Sequence, residues 1–161
     1  MTEKTHLYCT FRSAGHWFGA PIEDVQEVTV ETTCTRIPHA PLEVAGYVNM
    51  RGHIFLALDL RRLLGFEAAA AVERRLVLFK PSVGPSFGIL VDEVGDIETV
   101  EAKKIEAYSA GATQLAAGAP IRSVDLVAKV CCCPTELLLV LDPRKFLRVV
   151  EQPMSEVMEF V

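Results

Sequence analysis

The chain has 161 residues and carries 16 lysines and arginines against 21 aspartates and glutamates, for a formal net charge of −5. Half of its residues are apolar and 23% are charged, which is typical of a globular domain and excludes a disordered tail. The acidic balance, with no basic block, excludes the phosphate-neutralising surface that nucleic-acid binding requires. The length accommodates one domain, or two small subdomains that share a core.

The N-terminal sequence and the cysteines predict a cytoplasmic protein. Residues 1–12 contain no apolar segment followed by a small-residue cleavage site, and no stretch of the chain approaches the ~18–20 apolar residues that cross a bilayer. The five cysteines are odd in number and three are consecutive, which does not fit the paired disulfides of a secreted protein. We therefore expect a protein of the reducing cytoplasm that does not insert into membranes.

Short apolar segments bounded by Gly, Pro or Asp dominate the chain and predict a mostly β protein with short helices. A turn is predicted from Ile22 to Gln26. The predicted strands, in chain order, are Leu7–Arg12, His16–Ala20, Val28–Glu31, Gly46–Arg51, His53–Leu58, Arg75–Lys80, Ser86–Val91, Gly95–Val100, Ser123–Val130 and Glu136–Leu141.

Two short helices are predicted, over residues 59–64 and 142–147. Each begins with an aspartate in the N-cap position, Asp59 and Asp142, and continues with apolar residues three or four apart. Pro143 favours the second helix, because proline is well tolerated at the first helical position. The two aspartates could be mistaken for a catalytic carboxylate pair, but as repeated N-caps they need no chemistry.

Two segments of the chain recur in the same order. Phe18, Gly19 and Val25 are repeated 69 positions later as Phe87, Gly88 and Val94. Five further residues are repeated 83 positions later, namely Leu56, Leu58, Asp59, Arg61 and Leu64 as Leu139, Leu141, Asp142, Arg144 and Leu147. This pattern indicates a duplicated β unit with an insertion at Ala107–Pro120, although short apolar strands that end in Asp could also align by chance.

A closed or nearly closed sheet is the economical way for each short unit to cover its edges. We therefore predict an all-β fold with short helices, made of two pseudo-repeated five-stranded β-barrels within a single domain. Residues 7–64 would form the first barrel, residues 73–147 the second, and 148–161 a C-terminal tail. Residues 65–72 would join the barrels, and the cleft between them is a natural site for a partner.

Several short motifs occur in a specific order and spacing along the chain. They are Phe18-Gly, Ile22-Glu-Asp-Val-Gln-Glu-Val28, Thr35-Arg-Ile-Pro38, Ala40-Pro41, Gly46-Tyr-Val-Asn-Met-Arg-Gly52, Ile54-Phe-Leu-Ala-Leu-Asp-Leu-Arg61, Gly88-Ile-Leu-Val-Asp-Glu-Val94 and Leu138-Leu-Val-Leu-Asp142. Together they resemble the CheW family of chemotaxis coupling proteins. The resemblance covers about residues 7–147, and the family fold of two SH3-like five-stranded barrels agrees with the predicted duplication.

The resemblance implies a scaffold that is not an enzyme and has no cofactor or metal. Such a protein links the cytoplasmic hairpin tip of a methyl-accepting chemoreceptor to the regulatory domain of a CheA-type histidine kinase. By the same resemblance, Glu27 and Val28 contact the kinase, and Val25, Gly46 and Arg51 contact the receptor in the groove between barrels. From its neighbours alone, Arg51 could instead close a hairpin and pair with a carboxylate.

Two other classes of function stay open on the sequence. One is a β-barrel protein-binding module outside chemotaxis. The other is a thiol enzyme or redox sensor that uses Cys131–Cys133, although consecutive cysteines in an extended segment alternate in direction and do not converge on a metal. One or two of these cysteines facing the core as small apolar side chains is the competing interpretation. The sequence has no nucleophile elbow, P-loop or dinucleotide fingerprint.

Overall fold

The structure is a computed structural model that describes residues 4–30, 34–67, 74–107, 126–134 and 136–147. The described residues are mostly strand, with one short α-helix, α1 (Leu60–Leu63), and 3₁₀ helices at Ile22–Asp24, Ala102–Lys104 and Pro143–Lys145. None of these helices is long and apolar enough to cross a membrane. The strands are β1 (Thr5–Ser13), β2 (His16–Pro21), β3 (Val25–Val30), β4 (Val44–Met50), β5 (His53–Asp59), β6 (Arg75–Phe79), β7 (Phe87–Val91), β8 (Glu93–Glu101), β9 (Ile105–Ala107), β10 (Val127–Cys132) and β11 (Leu137–Leu141).

The strands form two sheets with the same internal order. The first sheet runs β3-β6-β7-β5-β4, and the second runs β8-β1-β2-β11-β10 with β9 added at its end. In the second sheet Phe18 pairs with Leu139 across the parallel contact of β2 and β11. Phe87 pairs with Leu56 at the corresponding contact of β7 and β5 in the first sheet. Because these pairs lie at the repeated sequence positions, the strand pairing confirms the internal duplication.

Each sheet takes strands from both halves of the chain. Strands β1 and β2 belong to the second sheet, whereas β6 and β7 complete the first. Residues 7–64 and 73–147 therefore mark the repeated sequence and do not each build one sheet. The physical reason is the shared core: Phe11, Phe18, Phe79 and Phe87 are at most 1% exposed and belong to one apolar cluster that draws on both sheets.

Each sheet also carries one smaller apolar cluster, on the face that points away from the central core. In the first sheet Val48, Phe55, Leu76 and Leu90 pack together with neighbouring apolar side chains. In the second sheet the cluster contains Tyr8, Val100, Cys131, Leu138 and Val140. Each sheet is thus buried on both faces, which explains why strands such as Phe87–Val91 are buried throughout and lack apolar alternation.

The predicted boundaries differ from the structure in several places. Strand β3 begins at Val25, because the turn after β2 ends at Asp24 and the backbone becomes extended at Val25. Strand β9 was not predicted, since three residues are too few to show a period. Residues 108–120 of the expected insertion, 68–72 of the linker, 123–125 of a predicted strand and the tail 148–161 lie outside the described residues.

The two aspartates are N-caps, as predicted. The Asp59 carboxylate accepts a hydrogen bond from the Arg61 N–H at 3.0 Å, and Asp142 accepts one from the Arg144 N–H at 3.1 Å. The arginines then bind carboxylates of the other half of the chain. Arg61 contacts Asp92 at 2.7 Å, and Arg144 contacts Asp24 at 3.1 Å. These reciprocal ion pairs join the two repeats.

Candidate functional site

The exposed edge of the first sheet carries the residues predicted to bind a kinase. Strand β3 lies at this edge, and alternate side chains along it point to solvent. Val28 is 36% exposed and Val30 is 42% exposed, whereas Glu27, which precedes Val28, is half-buried. An edge strand with exposed aliphatic side chains offers a partner both unpaired backbone groups and apolar area.

Arg51 forms the tip of the hairpin between β4 and β5. It has φ +52° and the next residue, Gly52, has φ +87°, the combination that a tight hairpin turn requires. The Asn49 side-chain oxygen accepts a hydrogen bond from the Gly52 N–H at 3.0 Å and fixes the turn. From this tip the Arg51 guanidinium reaches the Glu27 carboxylate with contacts of 2.5 and 3.2 Å, and the side-chain hydrogen bond raises the pKa of Arg51.

This ion pair connects the two opposite edges of the first sheet. Glu27 lies on edge strand β3, and Arg51 follows edge strand β4, so the five strands must curl to bring them together. Below the pair is a cavity of about 270 Å³ whose lining includes Met50, Phe55 and Phe79. The sequence resemblance assigned Glu27 and Arg51 to different partners, but the structure places them in direct contact. It also shows the alternative that the sequence left open, in which Arg51 closes a hairpin and pairs with a carboxylate.

The other two predicted receptor residues are held within the structure. Gly46 is buried, and a Cβ placed there would lie 2.1 Å from the Thr35 carbonyl oxygen. Glycine at this position lets the chain before it fold back against β4. We call residues 34–45 the 34–45 loop, although its last two residues begin β4, and in it Thr35 exchanges backbone hydrogen bonds of 2.8 and 2.9 Å with Tyr47. Val25 is half-buried against the central core and pairs with Phe79 on β6.

The first sheet also exposes apolar side chains that the sequence pattern did not identify. Tyr47 on β4 is 37% exposed and Ile54 on β5 is 60% exposed. Val30 could have been found from the alternation along β3, because it follows Val28 by two positions. Tyr47 and Ile54 lie within apolar strands whose pattern does not separate a shared core from an open surface.

A comparison with protein families decides the identity of the fold. The family model described as "CheW-like domain" matches residues 7–151, which is most of the chain. The chain belongs to the CheW-like family. The predicted resemblance is therefore confirmed.

Three relatives align with part of this CheW-like chain. It is 34% identical over 96 residues to "Chemotaxis protein CheW" of Rhizobium meliloti, covering 60% of this chain and 62% of the relative. It is 33% identical over 90 residues to "Probable chemotaxis protein CheW" of Rhizobium etli, covering 56% and 58%. It is 36% identical over 84 residues to "Protein PilI" of Pseudomonas aeruginosa, covering 52% and 47%. The alignments thus span about half to three-fifths of the relatives' length.

A solved structure has the same fold. The crystal structure of scaffolding protein TtCheW from Thermoanaerobacter tengcongensis superposes with a TM-score of 0.72, covering 86% of this chain and 89% of the other at 21% identity. The likeness extends over both sheets and confirms the predicted class, an all-β fold with a repeated five-stranded unit.

The three consecutive cysteines of this CheW-like chain lie in different surroundings. Cys131 is buried in the cluster of the second sheet, Cys133 is half-buried against it, and Cys132 is exposed. Burial raises the pKa of Cys131 to about 11 and also raises that of Cys133. A thiol-based sensor needs the opposite shift, toward the thiolate. No cluster of three metal-ligating side chains occurs among residues of the described ranges.

Proposed function

We propose that the chain is a cytoplasmic chemosensory adaptor, which couples the cytoplasmic tip of a chemoreceptor to a CheA-type histidine kinase and so supports control of kinase activity. The observation that carries this proposal is membership of the CheW-like family over residues 7–151. Relatives that are named chemotaxis proteins favour the same role. The role requires binding surfaces and no catalytic group.

The proposed kinase surface is the β3 edge around Glu27 and Val28, extended by Val30. Its exposed valines supply apolar contact area, and the unpaired backbone groups of the edge strand can hydrogen-bond a partner strand. Glu27 supplies a fixed negative charge, because Arg51 holds its carboxylate in one orientation. A fixed charge at the edge of an apolar patch sets the register of the partner.

The proposed receptor surface is the groove beside Val25 and the β4–β5 hairpin. Arg51 at the hairpin tip is the cation that a receptor carboxylate would meet, and its side chain is 73% exposed. Gly46 acts here by seating the 34–45 loop, since it is buried. The Glu27–Arg51 ion pair then belongs to both surfaces, so a receptor that draws Arg51 away also releases Glu27 on the kinase side.

Such a shared ion pair gives the adaptor a way to transmit a signal as well as to hold two proteins together. Holding kinase and receptor on one chain raises their effective concentration for each other. If binding at one surface changes the ion pair, the two binding events are energetically coupled, typically by about 1–3 kcal/mol in allosteric proteins.

A binding titration tests the proposal. Purified chain is titrated with the regulatory domain of the organism's CheA-type kinase, as wild type, as Glu27→Lys and as Glu101→Lys. Glu101 is the matched control, because it also lies on an edge strand and pairs with an exposed cation, Lys103. Binding weakened by Glu27→Lys and not by Glu101→Lys supports the kinase surface.

Other results have distinct meanings. No binding by the wild type at ~100 μM, well above the micromolar range of modest interfaces, would favour a β-barrel module with a different partner. Equal losses in both variants would show a general charge effect and remove Glu27 from the contact. The double variant Glu27→Arg with Arg51→Glu restores the ion pair with reversed charges, so rescue by it would assign the effect to the pair and not to the kinase contact.

A further inference from the structure

A cavity of about 590 Å³ lies beneath the 34–45 loop, on the side of the first sheet where β5 meets α1. We call it the arginine cavity, because Arg36, Arg62 and Arg74 line it together with His39 and Asp59. The remaining wall is largely apolar and includes Ile37, Pro38, Pro41, Leu42 and Val44. The cavity shares no lining residue with the one below the Glu27–Arg51 pair.

The charges of the described residues that line the arginine cavity do not balance. In this part of the lining the one carboxylate is that of Asp59, which is 5% exposed and already caps α1 while accepting a hydrogen bond from Arg74 at 3.1 Å. Among the residues that the structure describes, neither Arg36 nor Arg62 has a carboxylate partner. Two guanidinium groups therefore add positive charge to one cavity of a chain whose net charge is −5.

The wall that carries Arg36 is held in place by backbone contacts. Thr35 exchanges two hydrogen bonds with Tyr47, and the Glu43 carbonyl accepts one from the Asp59 N–H at 2.8 Å. Within the 34–45 loop the Ala40 and Val44 N–H groups donate to carbonyls three residues earlier. These contacts fix the loop over α1, so the cavity is formed before any ligand arrives. Preformed sites of this kind lose less entropy on binding.

The internal duplication provides a comparison within the same molecule. A second cavity, of about 190 Å³, touches Ala128 and Asp142, which are the repeat counterparts of Ala45 and Asp59 in the arginine cavity. Its charged lining residues balance, with Lys129 and Arg144 against Asp24 and Asp142. The fold therefore does not require an excess of positive charge at this place.

We propose that the arginine cavity binds a phosphate monoester. Guanidinium groups match phosphate oxygens in a bidentate geometry, and a phosphate monoester carries about −1.5 to −2 charges at pH 7, which suits two uncompensated arginines. The apolar wall accommodates the organic group of the ester, and the volume lies within the ~300–1,000 Å³ of small-molecule sites. The ester belongs either to a free small molecule or to a phosphorylated side chain, since both present the same group.

Calorimetric titration of the full chain tests this site. The probes are phenyl phosphate, phenyl sulfate as a singly charged analogue, and a short phosphoserine peptide. The variants are Arg36→Gln with Arg62→Gln, and Lys145→Gln as the control. Lys145 occupies the position of the second repeat that corresponds to Arg62. Amide chemical shifts of the 34–45 loop in the wild type locate the bound probe without reference to any variant.

We expect phenyl phosphate to bind more tightly than phenyl sulfate and to shift amides of the 34–45 loop. The double arginine variant should bind it about tenfold more weakly or worse, because each lost charge-assisted hydrogen bond is worth a factor of that order, and Lys145→Gln should bind as the wild type does. Preference for the peptide over phenyl phosphate would assign the ester to a phosphorylated protein. Wild-type dissociation constants above about 10 mM for both phosphate probes, equal binding by the double variant, or shifts outside the loop would each overturn the proposal.

Discussion

Replacing Gly46 by alanine separates the seating of the 34–45 loop from a direct role in binding. Gly46 has a backbone φ of +148°, which L-amino acids other than glycine rarely adopt, and an added Cβ would lie 2.1 Å from the Thr35 carbonyl oxygen. The loop must move, and the two hydrogen bonds between Thr35 and Tyr47 are lost with it. At about 1 kcal/mol for each of the two hydrogen bonds and about 1–3 kcal/mol for the backbone strain, we expect the free energy of unfolding to fall by about 3–5 kcal/mol.

Urea unfolding followed by circular dichroism measures this loss. With a slope of about 1–3 kcal/mol per molar urea, the midpoint should fall by about 1–5 M for Gly46→Ala. Two other glycines serve as controls. Gly15 has φ +80° and no atom within 4 Å of an added Cβ, so Gly15→Ala reports backbone strain alone. Gly88 has no positive φ but an added Cβ would lie 2.6 Å from the Val77 carbonyl oxygen, so Gly88→Ala reports crowding alone.

The comparison has a clear failing result. If Gly46→Ala is no more destabilising than Gly15→Ala, the 34–45 loop moves away from β4 without loss of stability. The close approach of Thr35 to Gly46 then does not hold the loop in place. In that case a loss of receptor coupling in Gly46 variants would point to direct contact. If Gly46→Ala shows the larger loss, the same variant acts on the groove through the loop.

Arg51→Glu should leave the circular dichroism spectrum unchanged and shift the urea midpoint less than Gly46→Ala does, because the Glu27–Arg51 ion pair that it breaks is exposed. If the Arg51→Glu variant is unfolded, the ion pair is required for the fold. Asp92→Asn should destabilise the protein at pH 7 but not in strong acid. Burial alone would raise the pKa of Asp92, but hydrogen bonds from Arg61 and a backbone N–H outweigh burial, so the pKa is lowered. The ionised carboxylate therefore stabilises the folded protein fully at pH values above the ordinary pKa of an aspartate. This stabilisation is lost as the pH falls through the lowered pKa. Urea titrations at several pH values measure this, and a pH-independent difference contradicts it. A thiol reagent with mass spectrometry should find Cys132 modified in the native protein and Cys131 only after unfolding; early labelling of Cys131 would refute its burial.

Local signals in the sequence were sufficient to predict the repeat and its caps. Asp59 and Asp142 are recognisable because an N-cap depends on residues within one turn of the chain. The repeat was visible because its β2 and β5 segments keep the same residues at the same offsets. Family resemblance then supplied the fold, and the match over residues 7–151 confirms it.

The sequence could not predict how the strands pair between the repeats. Periodicity indicates which face of a strand is buried, but it does not identify the neighbouring strand. The contact between Glu27 and Arg51 could not be predicted for the same reason. The two residues are 24 positions apart in the chain, and they meet only because the sheet curls and brings its edge strands together. The need for glycine at position 46 becomes evident only when Thr35 is placed against it.

The exchange of strands bears on how an adaptor of this fold could respond to a partner. Because β1 and β2 complete the second sheet and β6 and β7 complete the first, the central core belongs to both repeats and resists any movement of one against the other. The reciprocal pairs of Arg61 with Asp92 and Arg144 with Asp24 add to this resistance. A change that a partner induces is therefore least costly at the surface, where the hairpin tip and the β3 edge are held by one exposed ion pair. The proposed coupling between the two binding surfaces accordingly rests on that pair and not on a rotation of the sheets.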